Sequence, residues 1–123
     1  MTPSEVMDAT IHPIAPTVEA VQLPTPDAEG TDVAAQILRA CDTLRRRIST
    51  RLTGQEGLFA GYDAMTSVTS NVVGQPVVVS AVAIEVRPAL HRVHYVAFPL
   101  ASPSTVLFSG RGATLTPEAP GIP

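Results

Sequence analysis

The sequence predicts an α+β domain: an extended N-terminal arm, one long amphipathic helix, and an antiparallel sheet or small sandwich of four or five strands. Three observations carry this. Val33, Ile37, Cys41, Leu44, Ile48 and Leu52 recur at intervals of three or four residues, which places them on one stripe of an α-helix. Beyond residue 65 the apolar period falls towards two, the period of strands. The prolines gather at the two ends and in the connections between strands, and none falls between Asp27 and Gln75. A chain of 123 residues has room for a single domain.

The arm comes first, over residues 1–30. Pro3, Pro13, Pro16, Pro24 and Pro26 fix φ and remove backbone donors, so this segment is expected to be extended, with no helix or central strand. Ile11, Ile14, Val18, Val21 and Leu23 are spaced through it as docking residues would be, and the segment reads either as an arm ordered against a partner surface or as a disordered tail. The arm is also acidic. Residues 1–32 hold six carboxylates and no Lys or Arg, whereas the remainder nets +3, with eight Arg against five acids. That split predicts an arm lying on a basic surface and disfavours nucleic acid as a partner. The all-arginine usage itself is read as genomic base composition.

The helix is expected from Thr31 to Thr53. Thr31 suits the N-cap, Asp32 the first turn and Gly54 the C′ position. Arg45, Arg46, Arg47 and Arg51 complement the negative end of its dipole, and Arg45, Arg46 and Arg47 form a candidate dock for an acidic segment. Residues 54–62, GQEGLFAGY, read as a glycine-rich loop or a short helical turn anchored by Leu58 and Phe59.

Strands are expected at 66–73, 76–86, 90–98, 104–109 and 112–116, with a tight turn at Gly110-Arg111-Gly112. The domain proper thus spans 31–116, and 117–123 form an extended tail. The strand PVVVSAVAIEV is apolar on both faces: Val78, Val82, Ile84 and Val86 on one, Val77, Val79, Ala81 and Ala83 on the other. The helix can cover one face. At about 25 cal/mol per Å², leaving the face of Val77 and Val79 in water would forfeit several kcal/mol. A second copy of the sheet is expected to cover it, which makes these two valines interface candidates.

Catalytic, cofactor-binding and metal-binding residues are not expected. Cys41 lies mid-helix on the apolar stripe, where a thiol behaves as a small hydrophobe. His91 and His94 are three apart, so a strand points them to opposite faces and they read as surface or edge histidines. SGRGAT lacks the GK[ST] ending of a phosphate loop, and no G-x-S-x-G appears. No apolar run reaches the roughly 18 residues of a membrane span, the N-terminal residues have no basic leader region, and one Cys permits no internal disulfide.

Residues 92–117, RVHYVAFPLASPSTVLFSGRGATLTP, resemble the small β-rich virion proteins of tailed bacteriophages, which decorate capsids or build head and tail accessories. The resemblance lies in Arg92–Val96, in Thr105–Phe108 with Gly110, and in Ala113–Thr116, with PVVVSAVA ahead of them. It implies a non-enzymatic structural subunit located in the virion, or otherwise in the cytoplasm, that binds copies of itself and other structural proteins. The alternative is a small dimeric binding or regulatory domain whose Arg-rich helix contacts an acidic or phosphate-bearing partner. An enzyme ranks third.

Overall fold

One α-helix lies across one face of a five-stranded antiparallel sheet in the computed structural model, which describes residues 19–23, 33–67 and 75–117. The elements are β1 (Glu19–Gln22), α1 (Val33–Thr53), β2 (Leu58–Ser67), β3 (Val77–Arg87), β4 (Leu90–Pro99) and β5 (Phe108–Leu115). The spatial order is β1-β3-β4-β5-β2, so the helix leaves one edge and the chain returns at the other. The expected α+β architecture of one helix and an antiparallel sheet is what is found. Thr31, Asp32, Ile11, Ile14, Val18, residues 68–74 and the last six residues lie outside the described residues.

The helical stripe does what its spacing dictates. Ile37, Cys41, Leu44 and Ile48 are 4% exposed or less, and Val33 and Leu52 pack against the same cluster. Gly54 ends the helix at φ +78°, with its N–H donating to Thr50 O at 2.8 Å. The layer beneath comes from alternate residues: Val77, Val79, Ala81 and Ala83 on β3 and Val93, Tyr95 and Ala97 on β4, all 1% exposed or less.

This reverses the expected roles of the two faces of β3. Val77 and Val79, expected at an interface with a second copy, are fully buried beneath the chain's own helix. The face of Val78, Val82 and Ile84 is the one that no described element covers. The neighbouring strands explain the choice, since the other face carries Arg92, His94 and Arg111, side chains whose burial under a helix would cost free energy.

Three strand assignments differ from expectation. Residues 58–67 form edge strand β2, paired with β5 through two register shifts near Gly61 and Asp63, where 54–62 read as a loop or helical turn and a strand was expected only from residue 66. Those bulges break the alternation that would have revealed the strand. In place of strands 104–109 and 112–116 there is one strand, β5 (Phe108–Leu115), with Gly110-Arg111-Gly112 at its centre rather than in a turn, and residues 104–107 lie outside it. A Cβ on Gly110 would stand 2.8 Å from the Phe108 ring, and one on Gly112 would stand 2.8 Å from the Phe59 ring. These glycines make room for aromatic rings lying across the strand. Finally, the Pro-free stretch of the arm supplies β1, which pairs antiparallel with β3. Val21 packs on the core, and Leu23, 7% exposed, belongs to it and donates its N–H to Val77 O. These two docking residues of the arm therefore dock on their own domain.

Candidate functional site

A cleft of about 220 Å³ opens between Leu38, Cys41, Asp42 and Arg45 on α1 and Phe59, Tyr62 and Tyr95 on β2 and β4. Its walls are aromatic. Tyr62 stands edge-on to Phe59 with ring centres 4.9 Å apart, to Tyr95 at 6.0 Å and to Phe108 at 6.2 Å. Aromatics are only 4% of the chain, yet four of them meet here. The glycines of β5 give them space, since Tyr62 lies opposite Gly112, and Gly110 sits between Met65 and Tyr95.

The polar atoms inside the cleft are uncharged at neutral pH. Burial pushes the Cys41 thiol up to about 12, against a hydrogen bond with Tyr62 that pulls the other way. Burial likewise raises the phenols of Tyr62 and Tyr95 above their ordinary range, with the neighbouring Cys41 adding to the effect on Tyr62. Cys41 is thus no thiolate nucleophile. The two phenols remain O–H groups, and that of Tyr62 is engaged with Cys41.

Charge is confined to the mouth. Arg45 Nε donates to Asp42 Oδ1 at 3.2 Å, and Arg46 Nε lies 3.1 Å from Asp42 Oδ2. Arg45, only 5% exposed, also donates through Nη1 to Glu56 O at 2.8 Å and lies 6.0 Å from the centre of the Phe59 ring. It therefore fastens the loop after the helix while it forms the rim of the cleft. On the far side of the Arg46–Asp42 pair, a shallow basin of about 700 Å³ is lined by Arg46, Arg47 and Arg51, with Thr43, Thr50, Glu19 and Glu56. Glu19 pairs with Arg51 at 2.6 Å.

The three consecutive arginines are thus split by the helical turn. Arg45 is buried and structural, Arg46 pairs with Asp42, and Arg47 is exposed over the basin. Asp42, Tyr62 and Tyr95 did not stand out in the sequence. A carboxylate three and four residues before two arginines on a helix was the available signal for Asp42; nothing in the pattern signalled the tyrosines.

The two histidines do face opposite sides of β4, but His91 is not at the surface. It is 1% exposed in the layer under the helix, directly opposite Thr114. His91 Nε2 and Thr114 Oγ1 have no hydrogen-bond partner among the described residues. Burial, and then the charge of Arg45, hold the His91 imidazolium below its ordinary pKa of 6.5. The unfolded chain therefore takes up this proton more readily than the folded one. The resulting stability is present above about pH 6.5 and is lost as pH falls. The midpoint of thermal unfolding is expected to drop between pH 7 and pH 5, and His91→Gln is expected to flatten that decline. An identical slope in the variant would remove His91 as its cause. Among the described residues no three His, Cys, Asp or Glu side chains come together as a metal site, and no helix is long and apolar enough to cross a membrane.

Comparison with solved structures places this architecture. The chain is similar to a hexameric acyl-CoA thioesterase (TM-score 0.72, 14% identity, 90% of this chain and 76% of that one). It is similar to β-alanyl-CoA:ammonia lyase from Clostridium propionicum (TM-score 0.68, 14% identity, 80% and 84%). It is also similar to a thioesterase from Thermus thermophilus in complex with coenzyme A and zinc (TM-score 0.61, 16% identity, 87% and 83%). No family model matches the sequence, and no curated protein sequence matches it.

These structures correct the expectation of a non-enzymatic phage virion subunit, with its virion location and structural-protein partners. The phage resemblance rested on strand texture in about a third of the chain, which any sheet of Val, Thr and Gly can produce. The structural likeness covers 80–90% of it, helix included. A single long helix on a five-stranded antiparallel sheet of order β1-β3-β4-β5-β2 is consistent with the hotdog fold, and this is the fold of the chain.

Proposed function

We propose that this protein binds and hydrolyses acyl thioesters of coenzyme A, and that it does so as a homo-oligomer. The observation that carries the reading is the cleft: an aromatic-walled slot with protonated phenols inside and a carboxylate at its mouth. The similarity to an acyl-CoA thioesterase and a coenzyme-A lyase supports the choice of substrate, and the hexameric state of that thioesterase supports self-association.

In this reading the acyl chain enters between Phe59, Tyr62 and Tyr95. At about 30 Å³ per water-sized group, the cleft holds a chain of roughly seven carbons. A phenol hydroxyl donates to the thioester carbonyl, where negative charge develops as water adds. Asp42 takes the proton of that water, the C–S bond breaks, and the thiolate leaves and is protonated, giving carboxylate and free thiol. The arginines of the neighbouring basin, Arg46 and Arg47, face the phosphates of the carrier.

The test is release of free thiol from acetyl-, butyryl-, hexanoyl- and octanoyl-coenzyme A, with binding followed by calorimetry. Hydrolysis is expected to be fastest at four to eight carbons. Leu38 is 40% exposed on the rim, so Leu38→Trp should lower kcat/KM at least tenfold without shifting the melting temperature. Asp42→Asn should lower kcat more than it raises KM. If no thiol is released and no acyl-coenzyme A binds at millimolar concentration, the proposal fails.

A further inference from the structure

Asp42, the carboxylate at the mouth of the cleft, has each of its oxygens engaged by a different arginine. Oδ1 accepts from Arg45 Nε at 3.2 Å, and Oδ2 lies 3.1 Å from Arg46 Nε. Spacings of three and four residues on α1 place both arginines one turn beyond the acid and beside it. A guanidinium on a carboxylate oxygen obstructs the approach of water to it.

The two arginines are not held alike. The Arg45 side chain is 7% exposed, and its Nη1 also donates to Glu56 O at 2.8 Å, so two separate bonds fix it. Arg46 is 45% exposed and its acid 50% exposed, and a pair of this kind on a helix surface is weak. Arg46 also lines the neighbouring basin, together with Arg47 and Arg51. Its single side chain thus joins the two cavities, bonded to the carboxylate of one and facing into the other. A phosphate in the basin offers a guanidinium more charge and a two-pronged geometry, and so competes well with a half-exposed carboxylate.

We propose that Arg46 is a positioning residue that couples the basin to the cleft. A phosphate of the carrier draws Arg46 away from Asp42, and Oδ2 is uncovered while Arg45 keeps Oδ1 in place. The attacking water then hands its proton to Oδ2 as its oxygen bonds to the thioester carbon; the C–S bond breaks and the leaving thiolate takes up that proton. The inference rests on the hydrolytic reading above and adds an order of events to it: the base is released only when the carrier's phosphates are seated. A thioester without phosphates meets the closed arrangement and reacts slowly.

The experiment measures kcat for thiol release from butyryl-coenzyme A and from butyryl-N-acetylcysteamine, a thioester lacking phosphates, on the full chain with and without millimolar inorganic pyrophosphate. For the wild type, kcat on the phosphate-free thioester is expected to be about tenfold lower than on the coenzyme A thioester, and pyrophosphate should recover most of the difference. Arg46→Met removes a half-exposed side chain, and circular dichroism should show it folded. This variant should hydrolyse the phosphate-free thioester at the stimulated wild-type rate and gain nothing from pyrophosphate. Three results overturn the coupling and leave the hydrolytic reading standing: no stimulation of the wild type, stimulation that persists in Arg46→Met, or a variant as slow as the unstimulated wild type. In the last case Arg46 only binds phosphate. Absence of thiol release from both substrates overturns the hydrolytic reading and the coupling together.

Discussion

Leu44→Ala is expected to lower the free energy of unfolding by about 3–5 kcal/mol, a large part of the 5–15 kcal/mol typical of a domain. Leu44 is fully buried at the centre of the α1 stripe, between Cys41 and Ile48. The sheet beneath it is lined with Val and Ala, and short side chains anchored on strands cannot move up to fill the space a leucine leaves. Most of the residual cavity should therefore remain, which is where the upper part of the range comes from. Urea denaturation with unchanged m-value is the measurement. A loss below about 1 kcal/mol would mean that the helix collapses onto the sheet, contrary to this packing.

Gly57→Ala is expected to cost about 2–4 kcal/mol, through two effects that add. Gly57 has φ +69°, a left-handed conformation that penalises an L side chain by about 1–2 kcal/mol. A Cβ there would also stand 2.7 Å from Thr114 Cγ2 and 2.8 Å from Leu115 O, and backbone cannot step aside cheaply. Gly54 is the control. Its φ is +78°, but a Cβ would meet nothing within 4 Å, so Gly54→Ala should show the conformational term alone, about 1–2 kcal/mol. Equal losses for the two variants would remove the steric part of the argument. The loop is worth testing because it closes over the Thr114 and His91 layer. It is held by Arg45 on Glu56 O and by Ser49 Oγ donating to Gln55 O at 2.7 Å.

Much of the fold was legible because it is written in periodicity. The α1 stripe needs only the spacing of six apolar residues, and β3 only its β-branched apolar run between Pro76 and Pro88. Edge strand β2 was not legible. Three glycines suggested a loop, and the bulges near Gly61 and Asp63 reset the alternation every few residues. The centre of β5 was misread for a related reason. Glycine on either side of Arg111 is a turn signal locally, and the rings of Phe59 and Phe108 that require those glycines come from elsewhere in the packing.

The candidate site was less legible still. Tyr62 and Tyr95 are 33 residues apart in sequence, and Cys41 lies on a third element, so no local motif joins them. The resemblance to virion proteins drew on the strands that any such sheet shares and left out the helix, the element that encloses the cleft.

The sequence by itself determined that this chain makes one amphipathic helix and an antiparallel sheet, that Cys41 is buried, and that β3 has more apolar surface than one helix can cover. Those follow from residue type and period, which are local. Only the tertiary structure decided which face of β3 the helix takes. Two apolar faces on β3 carry no ranking by themselves, and the neighbouring strands supply it, because Arg92, His94 and Arg111 lie on the face away from α1. That choice buried Val77 and Val79, left Ile84 outside, and set the aromatic cleft against the helix.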